Sequence, residues 1–436
     1  MNMYNLTGST DGTKKAVGRP KKSTTATVPG APKQSKRKAT EDVQARPAKK
    51  VKTLPIINQA PTQKLDIYVF GEGDNGELGL GTAKNAKSVK RPRLNALLSA
   101  QTVGVVQVAA GGMHAAALTH DNKIYTWGVN DQGACGRDTT WEGGLRDMDA
   151  DNDSDSDAGD DNGLNPKEAT PTALPDDAFP EGTTIVQLAA GDNATFALTA
   201  DGLVYGWGTF RVSCATNIFL QSYADMLQGN EGILGFTKDI DVQKTPMRIP
   251  GLKKIKHIAC GSNHVLALDE TGGVFAWGSG QQNQLGRRIV ERVRTAGLTP
   301  REFGLPKKQI KYISAGADHS FAIDKKDNVW AWGLNNYGQC GICDNAGNDD
   351  AIVNTPKKIE SLARHKITCI KGGRHHSVGV SEKGDCLTWG RADAAQIGIA
   401  IGDILPEDII HDERGRARIL KNPIQVPSNY SFSSSF

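Results

Sequence analysis

Hydrophobic and polar residues alternate in five segments of equal length, and each segment ends in Trp-Gly. The segments align without gaps at residues 105–128, 185–208, 255–278, 310–333 and 367–390. Each contains short alternating runs that are split by a Gly-containing turn and then by an Asp, Asn or Gly hairpin signal. The repeat therefore predicts an all-β protein in which each segment forms most of a four-stranded propeller blade.

A Gly-rich turn follows every Trp-Gly pair, and a sixth copy begins at Gly71, where Phe70 replaces the Trp. Its Gly71-x-Gly73-x-x-Gly76 spacing matches the dinucleotide-binding fingerprint formally. However, another turn follows this motif instead of a helix, and related Gly spacings recur in the later repeats. We therefore predict a structural turn and no phosphate site here.

Two intervals between successive repeats are longer than the others. One contains an Asp-rich low-complexity run, which predicts a disordered acidic loop over residues 146–165. The other contains VSCATNIFLQSYADMLQ at residues 212–228, and without this insertion the interval matches its neighbours. Because both of its ends can be encoded by splice-site sequences, we interpret the insertion as a retained intron that the working protein lacks.

Composition supports a turn-rich protein, since the 436 residues include 49 Gly and only 6% aromatic side chains. No stretch approaches the roughly 18 apolar residues of a membrane span, and the first residues lack the apolar core of a secretory signal. We therefore expect a soluble intracellular protein. The formal net charge of +4 conceals a basic segment at residues 1–65, which leaves the rest of the chain acidic.

Residues 1–65 lack hydrophobic periodicity, which predicts a disordered basic arm. Its clusters suit a nuclear import signal that an importin reads, or phosphate contacts with DNA. The Gly18-Arg19-Pro20 core also resembles an AT-hook, although a merely solvated basic tail is an alternative. The candidate import or DNA-binding residues are Arg19, Lys21, Lys22, Lys36, Arg37, Lys38, Lys49, Lys50 and Lys52.

Seven scattered Cys residues indicate reduced thiols rather than a disulfide framework. Only Cys340 and Cys343 have the spacing of a metal or redox pair. Because Cys340 occupies a position at which other repeats carry Leu, a buried hydrophobe is the favoured interpretation. We predict neither a metal site nor a cofactor.

The motifs between residues 65 and 427 resemble, in order, successive blades of the regulator of chromosome condensation family. The resemblance rests on LDIYVFGEGDNGELGLG, AAGGMHAAAL, GVNDQGACGRDTTWEGG, the interrupted GTFR…GILG turn and GGRHHSV. It implies a seven-bladed β-propeller that acts as a guanine-nucleotide exchange factor for the small GTPase Ran. Family membership also implies a nuclear, chromatin-associated protein, in which one propeller face contacts Ran while the other face and the arm contact nucleosomes, histones and DNA.

The resemblance also implies the residues of the exchange site and of a wedge that presses on the GTPase. The implied exchange residues are Asp74, His114, Asp192, Asn263, Arg287, Asn336 and His375, of which Asn263 replaces a family Asp. The implied wedge residues, which flank the insertion, are Phe210, Arg211, Asn230, Glu231, Gly232, Ile233 and Leu234. Exchange of this type needs no covalent chemistry, so we leave open whether the chain is an enzyme in that sense.

Two adjacent positions of the repeat behave differently. The position filled by His114, His264, His319 and His376 is nearly constant, with Ala194 as its exception, which favours a structural histidine over a functional one. The preceding position varies, and its residues are Met113, Asn193, Asn263, Asp318 and His375. Polar residues that change from blade to blade along one rim are what a single asymmetric partner requires.

The chain contains six Trp-Gly-type turns and five Gly-turn strands, whereas the family has seven of each. We therefore expect the propeller, at residues 66–427, to lack about one and a half blades at its C-terminus, with an irregular tail at 428–436. Two alternatives use the same repeats. One is a non-catalytic propeller scaffold, and the other, a Trp-based light sensor, fits poorly because the Trp residues occupy structural positions.

Overall fold

The computed structural model describes residues 54–83, 85–142, 163–210, 242–290, 296–411 and 415–427. All of them belong to one compact unit that begins at Leu54. The described residues form antiparallel sheets, with one helical turn, α1 (Pro166–Ala169). Short 3₁₀ turns lie at Ala96–Leu98, Glu360–Leu362, Ile401–Asp403 and Pro406–Asp408. The all-β prediction is confirmed.

Five of the sheets are whole blades, which we number I to V along the chain. Blade I contains β3 (Val105–Ala110), β4 (His114–Thr119), β5 (Ile124–Gly128) and β6 (Thr172–Ala173). Blade II contains β7 (Ile185–Ala190), β8 (Ala194–Thr199), β9 (Val204–Gly208) and β10 (Gln243–Arg248). Blade III contains β11 (Ile255–Cys260), β12 (His264–Asp269), β13 (Val274–Gly278) and β14 (Arg301–Glu302).

Blades IV and V continue the same up-and-down order, and blade V has an additional strand at its outer edge. Blade IV contains β15 (Ile310–Ala315), β16 (His319–Asp324), β17 (Val329–Leu334) and β18 (Ile352–Lys358). Blade V contains β19 (Ile367–Gly372), β20 (His376–Ser381), β21 (Cys386–Arg391), β23 (Ala417–Gln425) and, outermost, β22 (Ile409–His411). First strands of successive blades lie side by side, as a propeller requires.

A two-stranded sheet precedes blade I and consists of β1 (Tyr68–Glu72) and β2 (Ser88–Leu94). By the repeat, these strands correspond to the third and fourth strands of a blade. Among the described residues, β1 pairs only with β2. Phe70 occupies the repeat position of the buried Trp residues, yet 64% of its surface is exposed. The predicted seven blades are thus represented, within the described residues, by five whole blades and this outer half.

Tryptophan side chains fill the spaces between neighbouring blades. Trp277 of blade III packs edge-on against Phe196 of blade II, with ring centroids 5.9 Å apart. Trp389 of blade V packs in the same way against Phe321 of blade IV, at 6.0 Å. These Trp side chains are fully buried, and burial of large aromatic surfaces supplies much of the hydrophobic stabilisation of such a core.

Three of the four seams between blades I to V also contain a hydrogen-bonded set, which we call the seam relay. In the seam between blades IV and V, His319 Nε2 lies 2.9 Å from Ser377 Oγ, and the Ser377 hydroxyl donates to the Gln339 carbonyl at 2.9 Å. Trp389 Nε1 donates to the same carbonyl at 2.9 Å. Gly316 is required here, because a Cβ at that position would lie 2.1 Å from the His319 ring.

The seam relay recurs where the sequence allows it. His114 Nε2 contacts Thr195 Oγ1 and His264 Nε2 contacts Ser320 Oγ, both at 2.8 Å. Between blades II and III both partners are replaced together, by the buried apolar pair Ala194 and Val265. In the histidine position, the structure therefore supports the structural interpretation for the three His residues that carry a relay.

The ordered part of the chain begins before the first repeat. Residues 54–65, which the sequence analysis assigned to the basic arm, run across the ends of blades I to III. Asn58 is buried, and its side-chain amide donates to the carbonyls of Thr199 and Ile255 at 3.2 and 2.8 Å. Residues 163–165, assigned to the acidic loop, are also described, and Leu164 is buried. Residues 1–53, the rest of that loop up to 162, the insertion 212–228 and the tail 428–436 lie outside the described residues.

Candidate partner-binding face

One end of every blade carries two loops that are tied to each other. The first is the Gly turn between strands one and two, and the second is the Gly-rich turn after strand three. In blade I the Val129 N–H donates to the Met113 carbonyl at 2.9 Å. The same bond joins Thr209 to Asn193, Ser279 to Asn263, Leu334 to Asp318 and Arg391 to His375, at 2.7–2.9 Å. The variable position of the repeat therefore lies on one rim, held by the backbone.

Backbone hydrogen bonds also link the Gly turns of successive blades. The Asp192 N–H donates to the Ser262 carbonyl at 2.8 Å, and the Ser262 N–H donates to the Ala317 carbonyl at 2.9 Å. These turns line a cavity of about 360 Å³, to which Arg374 also contributes. Because the fold fixes this backbone, rim side chains project from a preorganised frame, which reduces the entropy lost on binding.

Charged groups of opposite sign meet at this cavity. Asp192 lines it together with Arg374, while Asp318, on the rim of blade IV, is half-buried. Burial raises the pKa of Asp318, and the negative charge of Asp192 raises it further, whereas Arg374 lowers it. Gln284 Nε2 donates a long hydrogen bond to the Asp318 carboxylate, at 3.4 Å. Asp192 therefore places a carboxylate at the cavity, and Asp318 places a second one on the rim, which suits basic groups of a partner.

Tyr337 follows Asn336 in the chain and packs against His375 of the next blade. The rings of Tyr337 and His375 have centroids 4.8 Å apart. Burial lowers the pKa of His375, and the positive charges of Arg374 and Arg391 lower it further. Its Nδ1 atom is buried and has no hydrogen-bond partner among the described atoms. This cluster lies on the rim where blades IV and V meet.

Asp74 and Asn263 hold two further rim positions. Asp74 is exposed in the turn after β1. Asn263 is half-buried on the rim of blade III, next to the Gly turn that lines the central cavity. With Asp192, Asn336 and His375, five of the seven implied exchange residues are exposed or half-buried on this rim.

His114 and Arg287 have different surroundings from the other five. His114 is only 3% exposed and belongs to a seam relay, so its imidazole offers almost no surface to a partner. Arg287 donates to the carbonyls of Ala276 and Ala296 at 3.4 Å. Arg137 occupies the same repeat position and likewise donates to backbone carbonyls. These contacts support structural roles for both residues.

Of the implied wedge residues, the structure describes Phe210 alone. Its ring is fully buried and stacks on Phe196 at a centroid distance of 6.0 Å. Phe210 therefore anchors the start of the wedge in the core of blade II. The other wedge residues, Arg211, Asn230, Glu231, Gly232, Ile233 and Leu234, and all the candidate arm residues lie outside the described residues.

Sequence reasoning did not assign Tyr337, Asp318, Arg374 or Arg391 to the site. For Asp318, membership of the variable repeat position was the sequence signal that could have identified it. Tyr337 and Arg391 lie in different repeats, 54 positions apart in the chain, and nothing in the one-dimensional pattern pairs them. Only the packing of blade IV against blade V brings their side chains together.

The described ranges contain neither a candidate membrane-spanning helix nor a candidate metal-ligand cluster. None of the helices there has the length and apolar character that a bilayer crossing needs. No set of three or more His, Cys, Asp or Glu side chains in those ranges is placed to hold a metal ion. Cys340 is buried, whereas Cys343 is exposed, with its Sγ 3.1 Å from Asn422 Oδ1.

Comparison with known proteins gives consistent matches. A model of the RCC1-like domain matches residues 66–432. Guanine nucleotide exchange factor SRM1 of Saccharomyces cerevisiae is 43% identical over 379 residues, which cover 85% of this chain and 74% of the relative. The crystal structure of Prp20p from S. cerevisiae, described with its binding properties to Gsp1p and histones, superposes with a TM-score of 0.72.

In that superposition the sequence identity is 40%, and the match covers 86% of this chain and 77% of the other. A structure of Kap60 bound to yeast RCC1 (Prp20) gives the same TM-score at 38% identity, with coverage of 91% and 82%. The predicted resemblance is thereby confirmed over nearly the whole repeat region, and this chain belongs to the RCC1-like domain family, the regulators of chromosome condensation.

Proposed function

We propose that this chain is a guanine-nucleotide exchange factor for a Ran-type GTPase. The observation that carries the proposal is the asymmetric rim, where Asn263, Asp318 and His375 occupy the same repeat position with different chemistry. The family match supports it, because SRM1 is a guanine nucleotide exchange factor and Prp20p was characterised with Gsp1p, the yeast Ran.

The mechanism is differential binding. A factor that binds the nucleotide-free GTPase more tightly than the loaded form must weaken nucleotide binding by the same factor. The rim residues bind the GTPase. The carboxylates of Asp192 and Asp318 attract its basic surface, while the His375 cluster contacts its polar surface. Because the Gly turns are joined by backbone hydrogen bonds, the frame resists deformation when the partner changes shape.

We propose that the wedge after Phe210 displaces the phosphate loop and Mg²⁺ region of the GTPase, with Arg211 and Glu231 as the acting side chains. Support comes from the family resemblance and from the buried Phe210, which fixes where this segment leaves blade II. Residues 212–228 interrupt the segment between Arg211 and Asn230. Their removal is therefore expected to increase exchange.

The basic arm and its partners form a further part of the proposal. Prp20p was described with histones, and Kap60 has been seen bound to yeast RCC1. By analogy, we propose that Lys and Arg clusters of residues 1–53 bind an importin, and histones and DNA, so that exchange takes place on chromatin in the nucleus. Phosphate contacts of this kind weaken steeply with added salt.

The decisive experiment measures release of a fluorescent GDP analogue from Ran by stopped flow. The full chain and the same chain without residues 212–228 are compared with GTPase alone. Acceleration by either chain supports the proposal, with the larger rate expected after the deletion. If neither chain accelerates release, the exchange assignment is wrong, and retained binding to Ran would then favour the non-catalytic scaffold.

A further inference from the structure

Tyr337 lies at the centre of a cluster that joins blades IV and V on the candidate face. Its ring is half-buried, and two guanidinium groups of blade V pack over it. The guanidinium carbon of Arg391 lies 5.2 Å from the ring centroid, and that of Arg418 lies 5.0 Å from it. A guanidinium over an aromatic ring is attracted by the ring quadrupole.

Both guanidinium groups are themselves held in place. Arg391 makes a two-pronged contact with Asp393, at 2.6 and 3.1 Å. Arg418 lies 3.5 Å from a carboxylate oxygen of Asp349. Bidentate pairs of Arg with a carboxylate have a fixed geometry. The guanidinium groups of Arg391 and Arg418 therefore lie over the Tyr337 ring in a defined orientation.

The backbone at Tyr337 is also fixed. Its N–H donates to Gln339 Oε1 at 2.8 Å, while the Gln339 amide donates to Asn336 Oδ1 at 3.1 Å. Gln339 is fully buried, and its carbonyl accepts from Ser377 and Trp389 in the seam relay. One buried side chain thus sets the positions of both Asn336 and Tyr337.

The position of the His375 ring depends on this arrangement, because the ring packs against Tyr337 and its buried Nδ1 atom has no hydrogen-bond partner among the described residues. We propose that Tyr337, clamped by Arg391 and Arg418, is a positioning residue that fixes the His375 imidazole for contact with the GTPase. This inference rests on the proposed exchange function. Tyr337 acts through His375 in this role and is not a catalytic residue.

The test is a double-mutant cycle for nucleotide release from Ran, made in the chain with and without residues 212–228. Tyr337→Leu is expected to lower kcat/KM about fivefold to tenfold in the parent but less than about twofold in a His375→Ala background. Tyr337→Phe, which keeps the ring, should restore the parent value. Trp330→Leu is the matched control, since it removes another half-buried ring of blade IV that lies under a cation, with Lys358 Nζ 5.4 Å from the ring centroid.

A readout that does not require exchange separates the two proposals. The imidazole of His375 is titrated by NMR and assigned by its loss in His375→Ala. Its surroundings include the charged groups of Arg374, Arg391, His376 and Asp393. Tyr337→Leu should move its pKa towards 6.5 as the ring becomes solvated. An unchanged titration, or equal loss of activity with and without His375, overturns the inference even if the parent chain is active.

Discussion

The seams and the rim of this propeller are built from adjacent residues that differ in burial and in hydrogen bonding. His319 is fully buried in a seam relay, while its neighbour Asp318 is half-buried on the rim, where Gln284 Nε2 lies 3.4 Å from its carboxylate. Met113 and His114 show the same contrast, since Met113 is exposed and His114 is buried. A single step along the chain thus separates scaffold from recognition surface.

Nearly constant and variable residues occur side by side in one turn because the former face the next blade and the latter lie on the rim. Seam residues must match their partners in the next blade, and where one partner changes the other changes too, as Ala194 and Val265 illustrate. Rim residues are not matched in this way from blade to blade, so each blade can carry different chemistry. The substitutions below test whether stability belongs to the seams and binding to the rim.

Loss of a seam tryptophan should have the largest effect. Trp332→Ala removes a fully buried ring whose Nε1 donates to the Gln284 carbonyl at 2.9 Å. Large-to-small changes of this kind cost about 3–5 kcal/mol of unfolding free energy. Phe70→Ala, in the same repeat position but exposed, should cost under about 1 kcal/mol. Urea unfolding monitored by circular dichroism measures both, and similar losses would contradict the importance of the seam.

The seam histidines should make the fold sensitive to acid. Burial lowers the pKa of His114 to about 4, and those of His264 and His319 to about 3. Below pH 6.5 the unfolded chain binds protons that the folded chain does not, so stability is intact above pH 6.5 and falls as pH decreases towards 4. Each such histidine contributes a slope of about 1.4 kcal/mol per pH unit in that window.

His114→Gln should therefore reduce the slope of unfolding free energy against pH by about one proton between pH 6.5 and 4. The parent chain, unfolded under the same conditions, serves as its control. Chemical unfolding at several pH values provides the measurement. An unaltered slope in His114→Gln would mean that the imidazole is solvated in the folded state and that the seam is open there.

The strands could be predicted from the sequence because their information is local. Period-two alternation and the Gly and Asp turn signals define each strand, so the three inner strands of blades I to V lie within the segments that the repeat predicted, except that β17 and β21 each extend one residue further. The docking of Asn58 under blades II and III could not be predicted in this way. It depends on backbone carbonyls more than 140 positions distant, which no pattern near residue 58 reveals.

The candidate site was predictable only where a residue broke the repeat. Asp192 and His375 stand out because the repeat supplies a background against which they differ. His114 and Arg287 were implied by resemblance alone, and their surroundings, a relay and a set of carbonyls, become visible only when blades are packed together. Tyr337 and Arg391 escaped notice for the same reason, since side chains of different blades form that cluster.

A rim carboxylate should affect exchange without affecting the fold. Asp192→Asn keeps the size and the backbone bond to Ser262 but removes the charge that faces the central cavity. We expect kcat/KM for nucleotide release from Ran to fall about tenfold. The melting temperature should stay within about 2 °C of the parent value. A large drop in the melting temperature would place Asp192 among the scaffold residues and contradict the division between stabilising seams and a binding rim.

The smallest expected effect concerns Met113, the exposed neighbour of a seam histidine. Met113→Ala removes a side chain that is 46% exposed on the rim of blade I, whose backbone carbonyl still accepts from Val129. Unfolding free energy should change by less than about 0.5 kcal/mol, and KM for Ran by no more than about twofold. His114→Ala, one residue later, removes a buried imidazole and one of the two hydrogen bonds of the Thr195 hydroxyl, the other being its bond to the Ala134 carbonyl, and should cost about 1–3 kcal/mol. Equal effects at these two positions would show that rim and seam are energetically one unit.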